Sequence, residues 1–266
     1  MSTRLITIGV ICLVISNSPL SVGATGRAPG GIDKHIIDQR HQLSQALNQW
    51  DLEALAAARA GFERLLDRGG RDWLIRYYIA LADYRIAIYH MQAKELEKMD
   101  PYLEEAEQQL EESIEQEPNF GESVALLAAI LGLKITRKPV SGIWIGPKIG
   151  GIMAEATRLS PTNPRMWLID GISAYYRPAM FGGGADAAKA SLRNSIKFFS
   201  TESIDDPAFP SWGASESFAW LGAIEMNKGE LDSARVHFEQ ALEINPLDGW
   251  VRFHLMPRLD ELDNQQ

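Results

Sequence analysis

The sequence predicts an all-α fold, a stack of helical hairpins. Three observations carry this. A spacing of small and apolar residues recurs five times along the chain. Glycine and proline stand where those helices would have to end. The composition, 45% hydrophobic over 266 residues, supplies a core of the length that stacked repeats need. Charged residues make up 23% and aromatics 9%, a globular balance and not a disordered one. The formal charge of −9 argues against nucleic-acid binding through a general basic surface.

The N-terminus reads as a targeting segment. Arg4 gives a positive start, and residues 5–15 are apolar apart from Thr7 and Gly9. Val22-Gly23-Ala24 then offers small residues in the arrangement that a signal peptidase cleaves, so residues 1–24 are expected to be removed after Ala24. The run is short for a membrane span, although an uncleaved anchor helix is the alternative. Cys12, the single cysteine, lies inside this segment, and Ile11 stands where a lipid-modified cysteine would need a small residue. Cleavage leaves no disulfide and no thiolate nucleophile. Residues 25–31 read as a flexible lead-in, and residues 32–262 as the repeat domain.

The clearest copy of the repeat spans 215–246. Ala234, Phe238, Ala241 and Pro246 fall at offsets of zero, four, seven and twelve. The first three share one helical face, and the proline ends the helix. Gly222 and Ala234 are small where two antiparallel helices would cross, and Gly229 breaks the chain between them. Ala58, Phe62 and Leu65 give the same spacing, followed by Gly70. So do Ala106, Leu110 and Ser113 before Pro118, and Ile149, Met153 and Ala156 before Pro161. Ala188, Leu192 and Ser195 complete the set, with Ser200 in the last place. Asn163 before Pro164 and Asp100 before Pro101 read as helix caps followed by a proline in the first turn. Residues 248–262, with Trp250, Phe253, Leu255, Leu259 and Leu262, read as an amphipathic capping helix.

The segment 215–246 resembles a tetratricopeptide repeat (TPR), and the other four copies resemble degenerate or expanded ones. A narrower resemblance is to exported bacterial TPR proteins with N-P-R, P-x-x-F-G-G and W-G segments. Here these are Asn163-Pro164-Arg165, Pro178-Ala179-Met180-Phe181-Gly182-Gly183 and Trp212-Gly213. The resemblance implies a TPR-like right-handed superhelix of about five hairpins with a C-terminal cap, and a binding role. It implies no ligand.

A TPR unit usually has about 34 residues, and three of these units are longer. Extra chain stands at 94–101, 136–147 and 177–184, each between the two helices of a hairpin, and a further stretch at 201–213 precedes the fifth unit. Turns of stacked hairpins share one edge, where binding sites are often built. The third unit stands out. No acidic residue occurs between Glu122 and Glu155, while Lys134, Arg137, Lys138 and Lys148 do, around Trp144 in a glycine-rich context. A cationic loop with an exposed tryptophan suits a carboxylate terminus, a phospholipid head group or an acidic protein face. The alternative is that Trp144, Ile143 and Ile145 pack into the groove while the lysines stay solvated. Lys134, Arg137, Lys138, Trp144, Lys148, Arg177 and Phe181 are therefore the candidate partner-binding residues, with the concave face of the stack beside them. Gly182-Gly183-Gly184 lacks the Lys-Ser/Thr of a phosphate loop and reads as a turn needing positive φ, with Phe181 as the plug that fixes it.

Nothing in the sequence supports catalysis. His35, His41, His90, His237 and His254 make no H-E-x-x-H pair, and no G-x-S-x-G elbow is present. The glutamates at 104, 105, 107, 111, 112, 115 and 117 read as a solvated helix face. No metal or cofactor is expected. The reading is a periplasmic or secreted protein-binding adaptor or assembly factor, without nucleic acid and without a stable membrane span once the signal is cleaved. A small-molecule or lipid-binding component associated with a transporter is the alternative, with Tyr77, Tyr78, Tyr84, Tyr175 and Tyr176 as pocket candidates. An envelope enzyme is the third reading.

Overall fold

The structure, a computed structural model, describes residues 31–265. The expected signal peptide, its cleavage site and the lead-in lie outside those residues, except that Gly31 opens the first helix.

Five antiparallel hairpins follow one another. They are α1 (Gly31–Gln49) with α2 (Leu52–Leu66), α3 (Asp72–Gln92) with α4 (Asp100–Gln116), and α5 (Gly121–Arg137) with α6 (Gly142–Leu159). Then come α7 (Pro164–Tyr176) with α8 (Ala185–Phe199), and α9 (Ala214–Asn227) with α10 (Leu231–Ile244). A π-helical turn at Val251–Leu255 leads into α11 (Met256–Asp263). Pro257 lacks the N–H that would continue an α-helical ladder, and Met256 bonds back to Val251 instead. Val251, Leu255 and Leu259 cap the last hairpin, while Phe253, expected in that apolar face, is exposed.

The first three positions of every repeat copy are buried, from Ala58, Phe62 and Leu65 to Ala234, Phe238 and Ala241, and the fourth, where the helix ends, is exposed. Burial of one face of each second helix is what stacks the hairpins. Close crossings need missing side chains. A Cβ on Gly222 would come within 2.6 Å of the Phe238 ring, and one on Gly171 within 2.8 Å of Leu192. Where serine replaces alanine at the third repeat position, the hydroxyl is used. Ser113 bonds the Trp73 carbonyl and Ser123, and Ser195 bonds the Pro164 carbonyl and Ser217, each at 2.8 Å. The same clamp thus ties α4 to α3 and α5, and α8 to α7 and α9.

Two expectations are corrected. Asp100 is not a cap: a 3₁₀ turn at Leu96–Met99 runs straight into α4, and Asp100 instead meets Arg137 at 3.0 Å. The extra chain at 136–147 is not a loop. Apart from a short 3₁₀ turn at Pro139–Ser141 it extends α5 and α6, with Pro147 inside α6.

The inner face, lined by first helices, is not open either. The segment 201–213 enters it. Tyr78 donates to the Ala208 carbonyl at 2.8 Å, Arg40 to the Phe209 carbonyl at 2.6 Å, and Trp212 Nε1 to the Tyr77 hydroxyl at 2.9 Å. Ala208 and Pro210 are buried, and Phe209 packs between Trp73 and Phe120. The concave face expected as a docking groove is therefore occupied there by the chain itself.

The two ends of the stack also meet. Asn245 donates to Asn48 at 2.9 Å, Trp50 packs on His254, and Arg85 of α3 grips Glu216 of α9. A Cβ on Gly249 would lie only 2.7 Å from the Leu47 carbonyl. The superhelix closes on itself.

Candidate functional site

The candidate edge is built by the ends of α5 and α7 and the start of α6. Lys134 and Arg137 occupy the last turn of α5, where cations complement the helix dipole. They do not face solvent freely. Lys134 pairs with Glu107 and Arg137 with Asp100 on α4, and Lys148 lies 3.8 Å from Glu107. The acidic run of α4, expected as a solvated face, is in part a counter-surface for its neighbours. Glu112 likewise takes Arg76 at 2.7 Å. Lys138 is exposed, and Arg177 lies 3.8 Å from Asp170.

Apolar side chains dominate this edge. Val140 and Ile143 are each 72% exposed, Trp144 69%, and in the fourth hairpin's turn Met180 is 82% and Phe181 66% exposed. Only Ile145 of the tryptophan's neighbours packs inward. Phe181 is thus no plug. That turn is fixed by its glycines: Gly182 and Gly184 have φ of +75° and +104°, and a Cβ on Gly183 would collide with the Arg177 carbonyl.

The other family-like segments are structural. Asn163 caps α7 by accepting from the Arg165 N–H at 2.9 Å, and its amide donates to Glu122 at 2.8 Å. Buried Arg165 grips Glu122 at 2.8 Å, Glu202, and the Trp212 carbonyl at 3.2 Å. Tyr77 donates to the second oxygen of Glu122 at 3.0 Å. Asn163-Pro164-Arg165 and Trp212-Gly213 are two halves of one network that holds the 201–213 segment in place.

Where the superhelix closes, a cavity of about 420 Å³ remains between α1, α3, α9 and the turn after α10. Trp50, Tyr84, Tyr89, Trp212, Trp220 and Trp250 line it. Of the tyrosines expected in a pocket, only Tyr84 does, and burial pushes its hydroxyl up to about 12, so it stays neutral. Tyr77 and Tyr78 lie beneath the 201–213 segment. Sequence reasoning missed the tryptophans. Their signal was position, since Trp50, Trp212 and Trp250 stand outside the repeat helices. The formal charges lining the cavity sum to zero, Arg40 and Arg85 against Glu216 and Asp248. Arg85 bonds both oxygens of Glu216, at 2.8 and 2.6 Å. Asp248, which burial shifts upward, accepts from Ser215 and the Val251 N–H. Among the described residues, no group of three His, Cys, Asp or Glu converges, and no helix is long and apolar enough to cross a membrane.

No protein-family model matches the sequence, and no curated protein does. Among solved structures, the HusA haemophore from Porphyromonas gingivalis is similar, with a TM-score of 0.62 and 22% identity over 76% of this chain and 96% of that one. A thermophilic TPR protein from Thermus thermophilus matches with a TM-score of 0.54 and 19% identity, over 83% of this chain and 98% of that one. At these identities the likeness is one of fold, and the fold is an all-α, TPR-like solenoid.

Proposed function

We propose that this chain is an exported, non-catalytic binding protein that recognises a protein partner through the outer face of α6 and the adjoining turn of the fourth hairpin. The observation that supports it is the character of that face. Ile143, Trp144, Pro147, Gly150, Gly151 and Ala154 are all exposed, and Lys148 is the sole charge within 143–154. The other second helices turn charge outward: Glu53 and Glu63 on α2, Glu111 and Glu115 on α4, Arg193 and Lys197 on α8, Asp232 and Glu239 on α10. An apolar face carrying a single lysine, bordered in the same helix by exposed Glu155 and Arg158, marks an interaction surface. Bare glycine lets a partner backbone approach closely. Exposed Lys138 and Lys148 suit a partner with an acidic rim. An anionic bilayer would gain little more, because Lys134 and Arg137 are already paired. The apolar N-terminal run supports export to the periplasm or beyond.

The test is co-purification from the native envelope. Replacing Ile143 and Trp144 by Ser is expected to weaken partner retention about tenfold or more, the scale of a buried tryptophan anchor. Phe253→Ser, at an exposed apolar site on the C-terminal cap, should leave it unchanged. Equal retention by both variants would remove this reading.

A second reading, small-molecule carriage, is supported by the aromatic cavity and by the likeness to a haemophore. The carboxylates of the cavity are engaged by Arg85 and Ser215, which favours binding over catalysis.

A further inference from the structure

We infer that the cavity at the closure of the superhelix is a binding site for a flat, uncharged aromatic molecule, stacked against Trp50, Trp220 and Trp250. The inference rests on the second reading above and gives it a ligand class.

Four of the seven tryptophans of the chain line this one cavity. Each is partly buried, with part of its ring surface left uncovered. The rings are not used up on each other. Trp220 and Trp250 have centroids 5.1 Å apart but planes inclined by 51°, and Trp50 and Tyr89 are 5.9 Å apart at 32°. Splayed pairs leave ring faces available to a third ring. The volume, about 420 Å³, lies within the range of small-molecule sites.

Electrostatics selects the class. Arg85 and Glu216 neutralise each other, Arg40 is bound to a backbone carbonyl, and Asp248 is satisfied by Ser215 and a backbone N–H. The formal charges of the lining sum to zero, Arg40 and Arg85 against Glu216 and Asp248, and all four are hydrogen-bonded, so a charged ligand would lose its hydration without meeting a net counter-charge. Arg85 also covers Trp212, with its guanidinium 4.7 Å from the ring centroid, so that indole is already stacked.

The experiment titrates the full folded protein with 1-aminoanthracene, a neutral planar fluorophore, and in parallel displaces it with 1-decanol, a neutral aliphatic. The expected result is saturable binding, with energy transfer from tryptophan to the probe and no displacement by decanol. Replacing Trp220 and Trp250 by Leu should weaken binding about tenfold or more, the combined effect of two aromatic contacts. Trp167→Leu, outside the cavity lining, should leave it unchanged. If the double variant does not fold, Trp220→Phe and Trp250→Phe keep the aromatic filling, and energy transfer in the unaltered protein still reports the site. Binding of decanol in preference to the fluorophore would overturn the aromatic class while leaving small-molecule carriage standing. Binding of neither would overturn both.

Discussion

At the scale of single residues, two buried ionisable groups, Arg165 and Asp83, tie distant elements together. Arg165 joins Glu122, Glu202 and the Trp212 carbonyl, and so fastens the segment that fills the concave face. Arg165→Ala would leave Glu122 buried without its cation. We expect a loss of about 3–5 kcal/mol in urea unfolding, the cost of breaking one partner out of a buried ion pair. The importance of Asn163-Pro164-Arg165 and Trp212-Gly213 was visible in the sequence, but their mutual contact was not, because it spans 47 residues. The other group is Asp83. Its side chain is fully buried against Arg59 on one oxygen only, and burial outweighs that pairing, pushing it from 3.8 to about 7. Between those values the native state holds a proton that the unfolded chain has released. Its stabilising contribution is thus complete below pH 4 and lost as pH rises through 7. Asp83→Asn should flatten this slope in unfolding midpoints measured from pH 4 to 8. A slope identical in both proteins would assign it elsewhere.

At the scale of elements, the repeat spacing was sufficient to place every hairpin, because one small-apolar face per second helix is what stacking requires. It failed at 136–147. Glycine and proline there read as a loop, yet α6 is helical through Gly142, Gly146, Pro147, Gly150 and Gly151. Packing of Ile149, Met153 and Ala156 overrides the weak local propensity. A Cβ at Gly150 or Gly151 would touch nothing within 4 Å. Their replacement by Ala should therefore stabilise the protein by roughly 0.5–1 kcal/mol each. If the face serves close approach of a partner, the same substitutions weaken partner binding, a trade-off that paired measurements of thermal unfolding and affinity would read directly. The candidate residues were legible as a cationic cluster, but not their pairing: nothing in a one-dimensional pattern shows that Lys134 and Arg137 answer Glu107 and Asp100 across a hairpin boundary.

At the scale of the molecule, the main departure from an open superhelix is closure. Asn48 meets Asn245, and Gly249 sits against the carbonyls of Leu47 and Asn48 at distances that exclude a side chain. Contacts nearly two hundred residues apart leave no local signature, which is why the cavity and its tryptophans escaped the sequence reading. Gly249→Val should spring this contact. Small-angle scattering is expected to show a larger radius of gyration, and the affinity of the cavity for a planar probe should fall with it. An unchanged radius would mean that closure does not depend on this approach.

Photocrosslinking tests binding at the outer edge most directly. A photoreactive side chain at position 144, in cells, should give one discrete protein adduct. Reversing the charge of Lys138 and Lys148, the two exposed lysines of the edge, should diminish that adduct without unfolding the protein. No adduct at 144 from folded protein, with an adduct from a probe at Phe253 instead, would contradict the account and move the interface to the C-terminal cap.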